Sequence, residues 1–224
     1  MRWDSPNLNS PMAAPLTAVV DYGAGNLKSV AKALARSGLE VEVTGDPVAV
    51  GRADGVVLPG VGAFADAMSS LRSKGLDRAI RDSIAAGRPY LGICVGLQVL
   101  FEESDEHGVT PGLALLPGRV ERFAQDAGSD PLRVPHIGWN EVAFSGSHPM
   151  LERLPDRETY YFVHSYRAIP RDAGGVVGRA EYGGAFAAAV ASESIFAVQF
   201  HPEKSQRAGK HLLDAYADWL SACR

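Results

Sequence analysis

The chain has 224 residues, 46% of them hydrophobic and 21% charged, with a formal net charge of -4. That composition is ordinary for a soluble globular protein and the length suits one α/β domain, and the scattered Lys and Arg, with no basic block, argue against a nucleic-acid partner. No apolar run approaches the roughly 18 residues that span a bilayer, and two cysteines, Cys94 and Cys223, form neither a disulfide framework nor a zinc site.

The first fifteen residues are polar and rich in Pro, Asn and Ser, without the apolar core of a secretory signal. They read as a flexible extension, residues 16–224 as one domain, and the reducing cytoplasm as the compartment. Leu16 to Val20 is an apolar run fit for a buried strand. A turn over Asp21 to Asn26 leads into a helix with Leu27, Val30, Ala31 and Leu34 on one face, stopped by Gly38. Val41 and Val43 mark a second strand. Gly55 to Leu58 makes a third, ending in Pro59-Gly60-Val61-Gly62. Helical spacing covers Ala63 to Leu71 and Leu76 to Ala86. A fourth strand, Pro89 to Ile93, precedes Cys94, and a helix is expected to run from there through Phe101. Strands alternating with helices predict an open, mainly parallel sheet flanked by helices. From Leu113 to Val190 the segments are short and turn-bounded, which predicts a strand-rich, partly antiparallel second half; Trp139 and Asn140 are expected in a loop after Gly138. Ile195 to Phe200 is the last strand. The final helix, Gly209 to Ser221, carries Leu212, Leu213, Tyr216, Trp219 and Leu220 on one side.

Gly92-Ile93-Cys94-Val95-Gly96 has the G-x-nucleophile-x-G spacing of a nucleophile elbow. A sharp strand-to-helix turn needs small neighbours. It also sets the thiol at the positive end of a helix, which favours the thiolate, and aims the Val95 N–H at a bound oxyanion. A buried cysteine in a tight turn would read the same way. Gln199-Phe200-His201-Pro202-Glu203 follows the last strand and puts His201 at the sheet edge where open α/β folds build their sites. A thiolate needs a base that later serves as an acid, and His201 fits. Glu203 can hold the tautomer of that imidazole. A histidine capping the strand end and a solvated carboxylate are the plainer readings; the joint occurrence favours catalysis. Pro59-Gly60-Val61-Gly62 offers the amides of Val61 or Gly62 as a second oxyanion donor, though an ordinary βα turn has the same composition. Gln98, one helical turn after Cys94, faces the same side.

These motifs resemble the signatures of class I glutamine amidotransferases: Gly-Ile-Cys-Val-Gly-Leu-Gln at 92–98 and Phe-His-Pro-Glu at 200–203. The segments Asp21 to Leu27, Pro59 to Phe64, Phe101 to Ser104, His136 to Asn140, Tyr161 to Tyr166 and His201 to Ser205 are together similar to the glutaminase subunits of imidazole glycerol phosphate synthases. The match runs from about 16 to 222. The resemblance implies a Cys94, His201, Glu203 triad, and Gly62 on the oxyanion strand. It implies that Gln98 and Glu106 hold the amino-acid end of glutamine, and that Tyr161, His164 and Ser165 line the site. It places Asn26, Trp139 and Lys204 against a (β/α)₈-barrel cyclase subunit. No metal or cofactor is implied. Three alternatives remain open on the residues: the glutaminase of another amidotransferase, a partner-independent γ-glutamyl cysteine hydrolase, and a non-enzymatic binding module.

Overall fold

A computed structural model describes residues 14–124 and 132–224. Most of the expected extension, residues 1–13, lies outside the described residues. The first half alternates strands and helices: β1 (Leu16–Val20), α1 (Leu27–Arg36), β2 (Glu40–Thr44), α2 (Pro47–Arg52), β3 (Gly55–Gly60), α3 (Phe64–Ser73), α4 (Leu76–Ala85), β4 (Tyr90–Cys94) and α5 (Val95–Gln98). Strands then dominate: β5 (Glu103–Ser104), β6 (Thr110–Pro111), β7 (Gly118–Arg122), β8 (His136–Phe144), β9 (Arg157–His164), β10 (Tyr166–Pro170), β11 (Val176–Glu181), β12 (Ala185–Ser192) and β13 (Ile195–Val198). A 3-10 turn over Pro202–Lys204 leads into α6 (Gln206–Ala222).

The strands form a nine-stranded sheet ordered β2-β1-β3-β4-β13-β12-β11-β8-β9 and a four-stranded sheet ordered β10-β7-β5-β6. The large sheet is mixed. From β2 to β13 the neighbours pair parallel; from β13 to β9 they pair antiparallel. The reason is in the connections. Helices bridge β1 to β4 and return the chain to the same end, whereas short turns join β11 to β12 and β12 to β13. Every residue of β3, β4 and β13 is buried, as expected of central strands covered on both faces. Helix α6 closes one face so tightly that an alanine at Gly55 in β3 would put its Cβ 2.6 Å from Tyr216 Oη and 2.8 Å from Leu220.

Several elements differ from expectation. Helix α2 was not expected. The helix after Cys94 is α-helical for one turn only and goes on to Phe101 through i→i−3 bonds, Leu100 N to Leu97 O and Phe101 N to Gln98 O. The stretch around Trp139 is no loop: it belongs to β8, with Trp139 opposite Tyr161 and Asn140 opposite Tyr160 in β9. The last strand stops at Val198, and the final helix starts three residues earlier than its apolar pattern, at Gln206.

Candidate active site

Parallel pairing brings the carboxyl ends of β3, β4 and β13 to one edge. Gly60 in β3 lies opposite Cys94 in β4, and Ile93 lies opposite Val198 in β13. The chain therefore delivers the Val61–Gly62 turn, Cys94 and the segment from Gln199 to Glu203 to adjacent points. The loop before α1 joins them, since an alanine Cβ at Gly25 would sit 3.6 Å from Pro59 O.

Cys94 is the turn residue between β4 and α5. Its backbone has φ 55 and ψ -106, a sparsely populated conformation for a side-chain-bearing residue and one that costs about 1–3 kcal/mol. The flanking glycines make it possible. A Cβ on Gly96 would lie 1.9 Å from Leu58 O, and one on Gly92 would lie 2.5 Å from Gly96 O. The thiol is almost wholly buried, at 5% exposure.

His201 Nδ1 meets Glu203 Oε1 at 2.9 Å, and both side chains are 2% exposed. Two bonds fix the segment to β9. His201 N donates to Tyr161 O at 2.9 Å, and Ser205 Oγ donates to His201 O while accepting from Tyr161 N. Burial pulls the imidazole pKa down, but the neighbouring Cys94 and Glu203 outweigh it and raise it to about 9. Cys94 acts on the ring both as a hydrogen-bonding neighbour and through charge, although His201 Nε2 has no geometrically formed hydrogen bond in this arrangement. The site thus holds an imidazolium beside a buried sulfur, the arrangement that acyl transfer through a thiolate requires.

Beside Cys94 is a cavity of about 440 Å³ lined by Val61, Gly62, Val95, Gln98, Glu106, His164, Ser165 and Lys204, among others. Tyr161 does not line it. Its ring packs 6.0 Å from Trp139 and 5.8 Å from Lys204 Nζ. Trp139 is 50% exposed, and Val61 is exposed as well. Asn26 is exposed at the N-cap of α1 without a side-chain cap bond. Glu106 Oε2 accepts the Phe64 N–H at 2.7 Å, at the start of α3. Gln98 spends both amide hydrogens internally, on Tyr166 O and Gln199 Oε1. That leaves its Oε1 for a ligand, an acceptor suited to an ammonium group.

Sequence reasoning gave no role to Gln199, Ser205 or His136. His136 Nδ1 lies 3.0 Å from His164 Nε2, and His164 Nδ1 lies 2.9 Å from Tyr166 O. A carbonyl only accepts, so His164 carries its proton on Nδ1, and His136 Nδ1–H must donate to His164 Nε2. Burial holds both rings neutral, lowering His136 to about 4 and His164 to about 3. A larger cavity of about 620 Å³, lined mostly by residues of α2, α3 and α4, shares no residue with this site and holds no nucleophile paired with a base.

Residues 18–217 match the family model "Glutamine amidotransferase class-I". The chain belongs to that family. Among its curated relatives, "Imidazole glycerol phosphate synthase subunit HisH" of Moorella thermoacetica is 50% identical over 201 residues, covering 90% of this chain and 93% of that one. The protein of the same name from Aromatoleum aromaticum is 50% identical over 208 residues, covering 90% and 97%. That from Synechococcus sp. strain JA-2-3B'a(2-13) is 45% identical over 214 residues, covering 95% and 96%. Solved structures share the fold at 20% identity. These are PurLQS from Thermotoga maritima, with TM-score 0.70 over 92% of this chain and 99% of that one, and a putative GMP synthase protein from Thermoplasma acidophilum, with TM-score 0.68 over 93% and 95%. The amidotransferase is therefore a mixed α/β enzyme of the class I fold. No helix among its described residues is long and apolar enough to cross a membrane.

Proposed function

We propose that this amidotransferase is the glutaminase subunit of an imidazole glycerol phosphate synthase, in which Cys94, His201 and Glu203 hydrolyse glutamine and a (β/α)₈-barrel cyclase subunit consumes the ammonia. The observation that carries the chemistry is the strained Cys94 elbow beside an imidazole locked to a buried carboxylate at 2.9 Å. Its relatives' names carry the pathway.

The Cys94 thiolate attacks the side-chain amide carbon of glutamine. The N–H of Val95 and an amide of the Val61–Gly62 turn hold the oxyanion, and each such donor is worth about 10²–10³ in rate. His201, charged in the resting site, gives its proton to the departing ammonia. The neutral imidazole then takes a proton from water as the thioester is hydrolysed to glutamate. Glu203 holds the ring and balances its charge. Gln98 and Glu106 offer acceptors to the α-ammonium of the substrate, and His164 and Ser165 shape its pocket. The exposed Trp139, Lys204 and Asn26 suit a docking face for the cyclase, and Tyr161 packs against Trp139 and Lys204. A single contiguous core supports residues 16–224 as one domain, and the cytoplasm suits a free catalytic thiol.

The test is glutamate release by this chain alone and with the cyclase bound to its nucleotide ligand. Strong stimulation by the liganded cyclase is expected, and Cys94→Ala should abolish it. Near-normal release by Cys94→Ala, or turnover indifferent to the cyclase, overturns the respective half of the reading.

A further inference from the structure

A chain of buried amides ends on the reactive sulfur. Gln98 Nε2 donates to Tyr166 O and to Gln199 Oε1, each at 3.1 Å. Gln199 Nε2 donates to Cys94 Sγ at 3.6 Å. The backbone of Gln199 is fixed as well, its N–H donating to Ala188 O across to β12. The direction of this chain is forced. The Tyr166 carbonyl can only accept, so Gln98 must present its NH₂ group there. The same NH₂ faces Gln199, which must answer with oxygen. That leaves the Gln199 NH₂ aimed at the sulfur. Flipping the Gln199 amide would set two NH₂ groups against each other and turn a carbonyl oxygen toward Cys94. Gln98, Gln199 and Cys94 are 4%, 0% and 5% exposed. Water therefore cannot repair the mismatch, and the flipped state is costly.

A donor at sulfur favours thiolate over thiol, since hydrogen bonds to the charged form stabilise it. The His201 imidazole beside the sulfur favours the thiolate by its charge, and the Gln199 amide adds a formed hydrogen bond to it. Helix α5 is a single turn, too short for more than a small end charge. His201 Nε2 makes no hydrogen bond. Among the described residues, the Gln199 amide is the side-chain donor on Sγ.

We infer that Gln199 is a positioning residue for the Cys94 thiolate, its amide orientation set by Gln98 and the Tyr166 carbonyl. This rests on the glutaminase reading above. Gln199 holds the sulfur toward the pocket in its reactive form before glutamine arrives. Neither glutamine acts alone: Gln98 is the part that makes Gln199 a donor.

The test uses the full chain carrying Cys223→Ser, which removes the exposed second thiol. Two variants are compared with it. Gln199→Met keeps the volume and removes the donor. Gln199→Glu keeps the acceptor for Gln98 and puts an oxygen at the sulfur. Alkylation of Cys94 by iodoacetamide is followed against pH, without glutamine, so the result does not depend on turnover. A lost donor to a charged group is worth about tenfold or more. The pH of half-maximal alkylation should therefore rise by about one unit in Gln199→Met and further in Gln199→Glu. With the cyclase present, kcat should fall about tenfold or more while KM stays within about threefold. An unmoved alkylation profile in either folded variant overturns the inference, even if kcat falls. If Gln199→Met does not fold, the isosteric Gln199→Glu decides alone. Loss of glutamate release by the parent chain would sink the glutaminase reading and leave the alkylation result standing.

Discussion

At the scale of single residues, this site depends on what side chains are missing. Cys94 occupies its strained turn because Gly92 and Gly96 let β4 and α5 close on β3. Gly96→Ala would place a methyl 1.9 Å from Leu58 O, a main-chain atom that cannot swing away. We expect at least about 2–3 kcal/mol of destabilisation, read as a lower urea midpoint with an unchanged slope. Glutaminase activity should fall with it, because relief of the clash tilts the Val95 amide. The two glycines and the cysteine were legible in the sequence, since an elbow needs only five contiguous residues. Gln199 was visible as a residue but not as a part of the site. Its burial just after a strand that is apolar on both faces hides which way its side chain points.

At the scale of elements, α6 and the 3-10 turn before it form one unit. A Cβ on Gly209 would lie 1.8 Å from Pro202 O, so the first turn of α6 rests directly on the segment that carries His201 and Glu203. Gly209→Ala should shift that segment. We expect kcat to drop at least about tenfold, with a smaller change in KM, and the fluorescence of Trp219, which packs in the same helix, to report the altered seat. The expected start at Gly209 missed the first turn because Gln206 and Arg207 are exposed and add nothing to the apolar stripe. Helix α2 had a legible signal, Asp46 capping Val48 N at 2.9 Å with Pro47 at the first position. Six residues, however, are too few for a periodic pattern. The strand identity of Trp139 was obscured by Gly138, which reads as a turn residue in the sequence, although its φ of 136 leaves the pairing with β9 unbroken.

At the scale of the whole molecule, pH acts through buried histidines of opposite sense. His136 and His148 are lowered by burial to about 4, and His164 to about 3. As pH falls below the ordinary value of about 6.5, the unfolded chain takes up these protons and the folded chain does not. Stability should therefore decline from pH 6.5 down to about 4, and a little further for His164. His201 has the reverse sign. Its raised value, about 9, means the folded chain binds the proton more tightly, so its contribution is full below 6.5 and is lost as pH rises through 9. Denaturation midpoints against pH should show a maximum near neutrality with two falling limbs. His148→Asn keeps an acceptor for the Met150 N–H that His148 caps at 3.2 Å but cannot titrate, and it should flatten the acid limb alone. An acid limb of unchanged steepness would assign the effect elsewhere.

Scale also divides what could be read in advance. The sequence by itself determined the features that contiguous residues decide: the elbow at Cys94, the alternation of strands and helices up to β4, the apolar face of α6, and the motif that carries His201 and Glu203. It determined the family through those same motifs. The tertiary structure decided which of these meet. Gln199 is 105 residues from Cys94, and Gln98 is 101 from Gln199. They touch only because β13, the last strand, inserts beside β4 in the middle of the sheet. The His136–His164 pair likewise exists only because β8 and β9 place the two rings opposite each other. Local propensity fixes the elements within a few residues, but strand order is set by burial summed over the whole chain, and a buried hydrogen bond takes its direction from the partners that order supplies.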